Sequence, residues 1–146
     1  MTTDTAGTLA PMGRPRRLGR AALVTQWMFV GLALAGVGGL YLRGLAVAGS
    51  HAALIATPID PKDALGPDVA WNPLLLVFLP IALVAMFAVP LGIVCAAPGL
   101  ALAYLTGLRQ DRRLRRQLTV ASVLCLLVVV VALTPFGREV QLWMLD

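Results

Sequence analysis

The sequence predicts an all-α, polytopic integral membrane protein: three transmembrane helices, the second long and proline-kinked, then a short amphipathic C-terminal helix. Two observations carry this expectation. Apolar residues make up 59% of the 146 and charged residues 13%, against roughly 45–50% and about 25% in soluble domains. A water-soluble fold of this length must cover its surface with polar groups, and too few are present. Moreover, no charged residue falls within 21–42, 74–108 or 117–134. Each stretch approaches or exceeds the roughly 20 residues that a helix needs to cross about 30 Å of hydrocarbon.

Residues 1–13 lack apolar periodicity and carry Thr, Gly and Pro, which predicts a disordered tail. With the basic cluster Arg14, Arg16, Arg17 and Arg20, it makes residues 1–20 a basic cytoplasmic tail, ahead of one three-helix domain over 21–146. The cluster followed by an apolar run resembles a signal peptide. The run from Ala21 to Leu42 is too long for that, because a signal's apolar region spans roughly 7–15 residues. Arg16-Arg17 resembles a twin-arginine signal, but Leu18-Gly19-Arg20 follows where a bulkier apolar pair is usual. The segment therefore reads as a retained first span over 21–42.

An outer loop over 43–72 follows, its mildly apolar first half extending the first helix or lying on the membrane surface. In Asp60-Pro61-Lys62-Asp63, Asp60 suits a helix cap and Pro61 a first helical position. Asn72-Pro73 repeats that logic at the second span, 74–108. One straight helix of that length would reach about 50 Å, beyond what tilt absorbs. Pro80, Pro90 and Pro98 break or kink it. It is either one kinked helix projecting past the membrane, or two short spans turning near Pro90.

Charge counting favours the kinked helix. With three spans and the N-terminus inside, 1–20 and the Arg-rich loop 109–117 carry +3 and +4 on the cytoplasmic side. The outer segments 43–72 and 135–146 carry −1 each. A four-span topology would place Arg109, Arg112, Arg113, Arg115 and Arg116 outside, against the positive-inside rule. The third span, 117–134, is rich in β-branched residues, but in lipid the backbone must satisfy its own hydrogen bonds, so a helix is expected. Beyond Pro135, the spacing of Phe136, Val140, Trp143 and Met144 predicts an amphipathic helix in the outer interface. The dominance of Arg (Lys62 is the only lysine) together with Ala, Leu and Gly suggests a GC-rich bacterial genome.

Small residues four apart are the clearest pattern within the spans: Gly31, Ala35 and Gly39 in the first, Ala88, Gly92 and Ala96 in the second, then Gly99, Ala103 and Gly107. In lipid, close backbone approach over such residues is a main source of helix attraction. They serve either a partner or self-association interface, or packing among the chain's own helices. Arg109, Arg112, Arg113 and Arg116 form one stripe if the second helix continues, and Asp111 can pair with Arg115. The cluster fixes topology, and it can also bind anionic lipid headgroups. No nucleic-acid motif accompanies it.

His51, the only histidine, reads as an exposed loop residue. Its surroundings lack the several ligands a metal wants, so neither metal nor cofactor is expected. Cys95 and Cys125 lie inside apolar stretches and read as small buried side chains rather than a disulfide. No nucleophile, base or carboxylate pair is assembled, so no enzyme is expected. The sequence leads to a small bacterial membrane protein, a non-enzymatic accessory or scaffold subunit associating with another membrane protein. The alternative is a transporter or channel subunit using the broken second span; a weaker third is a sensor using the outer loop.

Overall fold

The computed structural model describes residues 13–56, 60, 74–105 and 111–145. All its regular elements are helical: α1 (Gly13–Gly31), a π-helical turn (Leu32–Val37), α2 (Gly38–Ala48), α3 (His51–Ala56), α4 (Leu74–Met86), α5 (Ala88–Leu105), α6 (Arg112–Leu133) and α7 (Pro135–Leu145). Three helices are long and apolar enough to cross a membrane: Arg16–Ala48, Ala88–Leu105 and Arg112–Leu133. Large apolar side chains such as Met28, Leu34, Leu79, Val94 and Val130 stand exposed along them. The calls on Asp60-Pro61-Lys62-Asp63 as a unit, on Asn72-Pro73, on Gly107 and on Arg109 fall at least partly outside the described residues.

The first helix is one rod from α1 through α2, since Gly31, Val37 and Gly38 at the junctions all keep right-handed helical angles. It is longer than the uncharged stretch at both ends. On the N-terminal side it begins at Gly13, so Arg16, Arg17 and Arg20 stand on a helix and not in a tail. Arginine is a good helix former, and Pro15 sits in the first turn, where its missing N–H costs no bond. On the other side the rod stops at Gly49, which takes the left-handed conformation (φ 79°) and donates its N–H to Leu45 O at 2.8 Å. Glycine enters that region without a Cβ penalty, which makes it a natural C-terminal stop. Ser50 then caps α3 by accepting from the Ala53 N–H at 3.2 Å.

The expected kinked second helix is divided at Phe87 into α4 and α5. Pro90 explains the position: its ring crowds the carbonyl of Met86, four residues back, and no N–H is available to bond it. The bonds from Phe87 N to Leu83 O and from Leu91 N to Phe87 O, both 2.9 Å, bridge the break. Helical bonding on both sides of one residue leaves no room for a reversal, so the segment bends and does not form a hairpin near Pro90. Pro80 and Pro98 lie within α4 and α5.

The third long helix starts at Arg112, earlier than its uncharged stretch, because Asp111 accepts from the Leu114 N–H at 3.1 Å and caps it. The arginines expected in a loop therefore occupy its first turns. Arg112, Arg113 and Arg116 lie on α6 and not on a continuation of the second helix, which ends at Leu105. Asp111 pairs with Arg16 at 3.2 Å rather than with Arg115.

The long helices run up, down and up around three stacked core clusters. At the Arg-rich end Ala103, Leu114 and Leu118 pack with Ala22 and Leu23. In the middle are Phe29, Val30, Val84, Ala96 and Cys125. At the opposite end Leu40, Leu54, Ile81, Ala85, Val140, Trp143 and Met144 join α2, α3, α4 and α7. α5 lies mainly against α6 and α1, whereas α4 lies against the π turn and α7. Close approaches set this arrangement. A Cβ on Gly92 would overlap the Val129 side chain and come within 3.3 Å of Cys125 O. Gly36, inside the π turn, admits Ile81, whose Cγ1 would lie 2.8 Å from an added Cβ. The Gly92→Leu variant should lose about 1–3 kcal/mol by overpacking, whereas Gly31→Leu, which meets nothing within 4 Å, should be neutral. Thermal unfolding in one detergent compares the two.

Candidate functional site

Burial separates the small residues singled out in the sequence into two groups. Ala88, Gly92, Ala96, Gly99 and Ala103 are all buried on one face of α5, under α1 and α6. Gly31, Ala35 and Gly39 are exposed. At Gly31 and Gly39 an added Cβ would meet no atom within 4 Å. The first rod thus carries a strip of small residues that its own bundle leaves uncovered.

At mid-height the bundle holds a buried polar cluster. Gln26 and Ser122 are fully buried. Gln26 Nε2 donates to Cys95 O at 2.9 Å and to Ser122 Oγ at 2.8 Å, and Ser122 Oγ donates to Ala96 O at 3.3 Å. Gly99 makes room, since a Cβ there would overlap the Gln26 amide. The accepting carbonyls flank the turn that Pro98 disturbs, where the proline frees Val94 O of its usual donor. Side chains from neighbouring helices commonly satisfy such carbonyls in apolar surroundings. Gln26 Oε1 is buried without a hydrogen-bond partner. This cluster ties three helices together and contains no acid, base or nucleophile pair. Gln26 and Ser122 were visible in the sequence as polar residues within apolar runs; their meeting was not.

A second network closes the opposite end. Tyr41 Oη lies 3.1 Å from His51 Nδ1, and His51 Nε2 lies 2.8 Å from Glu139 Oε2. A carboxylate only accepts, so in the neutral ring the proton sits on Nε2, and Nδ1 accepts from the tyrosine hydroxyl. Phe136 packs edge-on to Tyr41 with ring centroids 5.4 Å apart, and 5.6 Å from the His51 ring. His51 is therefore not an unassigned loop histidine. It opens α3 and joins the first rod to α7. α7 itself is set by Thr134, which accepts from the Gly137 N–H at 3.1 Å, with Pro135 at the first helical position. Gly137 sits so close to Val131 O that no side chain fits there. Nothing in the spacing of Tyr41, His51 and Glu139 signalled the network.

Beneath Tyr41 and Phe136, an apolar cleft of about 200 Å³ opens between the first rod, α6 and α7. Among the described residues no three His, Cys, Asp or Glu side chains gather as metal ligands. Arg17, Arg20, Arg112, Arg113 and Arg116 are exposed around the Arg-rich end, with Arg115 half-buried; Arg14 lies in the first turn of α1. Compared with known proteins, the chain matches no protein-family model, no curated protein and no solved structure.

Two substitutions probe the polar contacts. Gln26→Ala should cost about 1–2 kcal/mol, the range for interhelical hydrogen bonds in apolar surroundings, read by unfolding in detergent. His51→Ala removes the link to Glu139, and hydrogen exchange across α7 should quicken about fivefold, matching about 1 kcal/mol for one hydrogen bond.

Proposed function

We propose that this is a multi-pass protein of a bacterial cell membrane, its N-terminus cytoplasmic and its C-terminus outside, acting as a non-enzymatic accessory or scaffold subunit. Its working surface is the strip of Gly31, Ala35 and Gly39, against which a helix of another membrane protein packs. One observation carries this reading: the bundle consumes the small-residue face of α5 but leaves that of the first rod exposed. Between helices in lipid, apolar side chains gain little by leaving the bilayer, and close backbone approach supplies the attraction instead.

The orientation rests on the arginines. The start of α1 and the start of α6 share one end, joined by Arg16 and Asp111, and the positive-inside rule assigns that end to the cytoplasm. About 30 Å from it, near the end of α6, the apolar slab would finish. The Tyr41–His51–Glu139 network then lies at the outer headgroup level. Transport through the broken second helix draws less support, because hydrogen bonds bridge its break.

Two measurements test these readings. In native membranes, crosslinking should recover a partner with the wild-type chain. Gly31→Leu combined with Gly39→Leu should abolish the crosslink while leaving the unfolding temperature unchanged. A wild-type chain that extracts as a lone monomer and crosslinks to nothing would sink the scaffold reading. For orientation, a cysteine replacing Lys62 should label from outside intact cells, and one replacing Arg112 only after the membrane is opened.

A further inference from the structure

At the Arg-rich end, a cavity of about 320 Å³ lies between α1 and the first turns of α6. Arg16, Arg20, Arg113 and Gln117 line it with hydrogen-bond donors, and Asp111 is the one carboxylate in its wall. Leu23 and Leu114 complete it on the side of the nearest core cluster. Both oxygens of Asp111 are already engaged, Oδ1 by the Leu114 N–H and Oδ2 by Arg16. Arg20 and Arg113 have no carboxylate partner among the described residues. The cavity therefore keeps an excess of two positive charges presented from two different helices.

The start of α6 gives an independent reason to expect an anion. Arg112, Arg113, Arg115 and Arg116 crowd its first turns, where the helix dipole already places positive charge. Arginines three and four apart also repel one another. One capping carboxylate offsets little of this. A phosphate bound between Arg20 and Arg113 would offset more, since guanidinium forks match phosphate oxygens in pairs.

We propose that this cavity binds a phosphate group, and that an anionic phospholipid carries it: Arg20, Arg113 and Gln117 hold the headgroup while Leu23 and Leu114 face the glycerol and first methylenes. The assignment rests on the membrane reading above. The same chemistry would serve a soluble phosphate; the leucine wall favours the lipid.

The test uses the full chain in phosphatidylcholine nanodiscs, titrated with brominated phosphatidylglycerol, with quenching of the tryptophan fluorescence as readout. Saturable quenching by phosphatidylglycerol is expected for the wild type. Replacing Arg20 and Arg113 together by Gln should weaken it roughly 25-fold, at about fivefold for each juxtamembrane Arg. Arg17→Gln with Arg116→Gln removes the same charge from the same end, outside the cavity, and should stay within about twofold. Both double variants alter exposed side chains, and circular dichroism checks that each stays helical. Equal weakening by the two variants would overturn the site in favour of diffuse attraction. Displacement of the lipid by millimolar inorganic phosphate would overturn the lipid assignment. Failure of the wild type to enter nanodiscs would instead overturn the membrane reading, and the lipid site with it.

Discussion

The contact between α5 and its two neighbours governs the rest of this fold. Its buried face is built from Ala88, Gly92, Ala96, Gly99 and Ala103, so α1 and α6 approach its backbone almost without intervening side chains. That proximity lets Val129 fill the space above Gly92 and lets the Gln26 amide lie over Gly99. Larger residues would hold the helices apart, and Gln26 would then miss Cys95 O and Ser122. Close packing and polar bonding here are consequences of one geometric fact, which suits a setting where apolar burial alone gives helices little reason to meet.

Irregular backbone serves the same end. Pro90 bends the second helix at Phe87, so that α5 follows α1 and α6 while α4 meets the π turn and α7. The π turn is wider than an α-helical one, and with Gly36 it accommodates Ile81. Such widened turns arise where a regular helix would misplace its downstream face. At the far end Gly137 permits α7 to fold back onto the end of α6, and Glu139 thereby reaches His51. Three local departures from the α-helix thus assemble one continuous core from the Arg-rich end to the Tyr41 network.

What remains outside this packing is as informative as what lies within it. The exposed surface of the long helices is dominated by Leu, Val and Met, and the arginines sit at one end, where two helices present them together. The strip of Gly31, Ala35 and Gly39 and the cavity beside Arg20 and Arg113 differ in chemistry. One suits a helix and the other a phosphate, and neither needs a catalytic group.

Much of the architecture was legible in the chain because lipid-length helices depend on composition and the absence of charge, both properties of single segments. The three long helices, the bend in the second and the C-terminal helix followed from that. Helix ends were less legible: Arg16–Arg20 and Arg112–Arg116 read as tail and loop, yet local capping by Asp111 and intrinsic helix propensity draw them into helices. The role of His51 was hidden altogether, because its partners lie 10 and 88 residues away. The sequence by itself determined that these segments are apolar helices with one basic end. Only the tertiary structure decided which small-residue face is consumed and which stays open, and that Gln26 meets Ser122. Those outcomes depend on distances between segments, which no periodicity within one segment encodes.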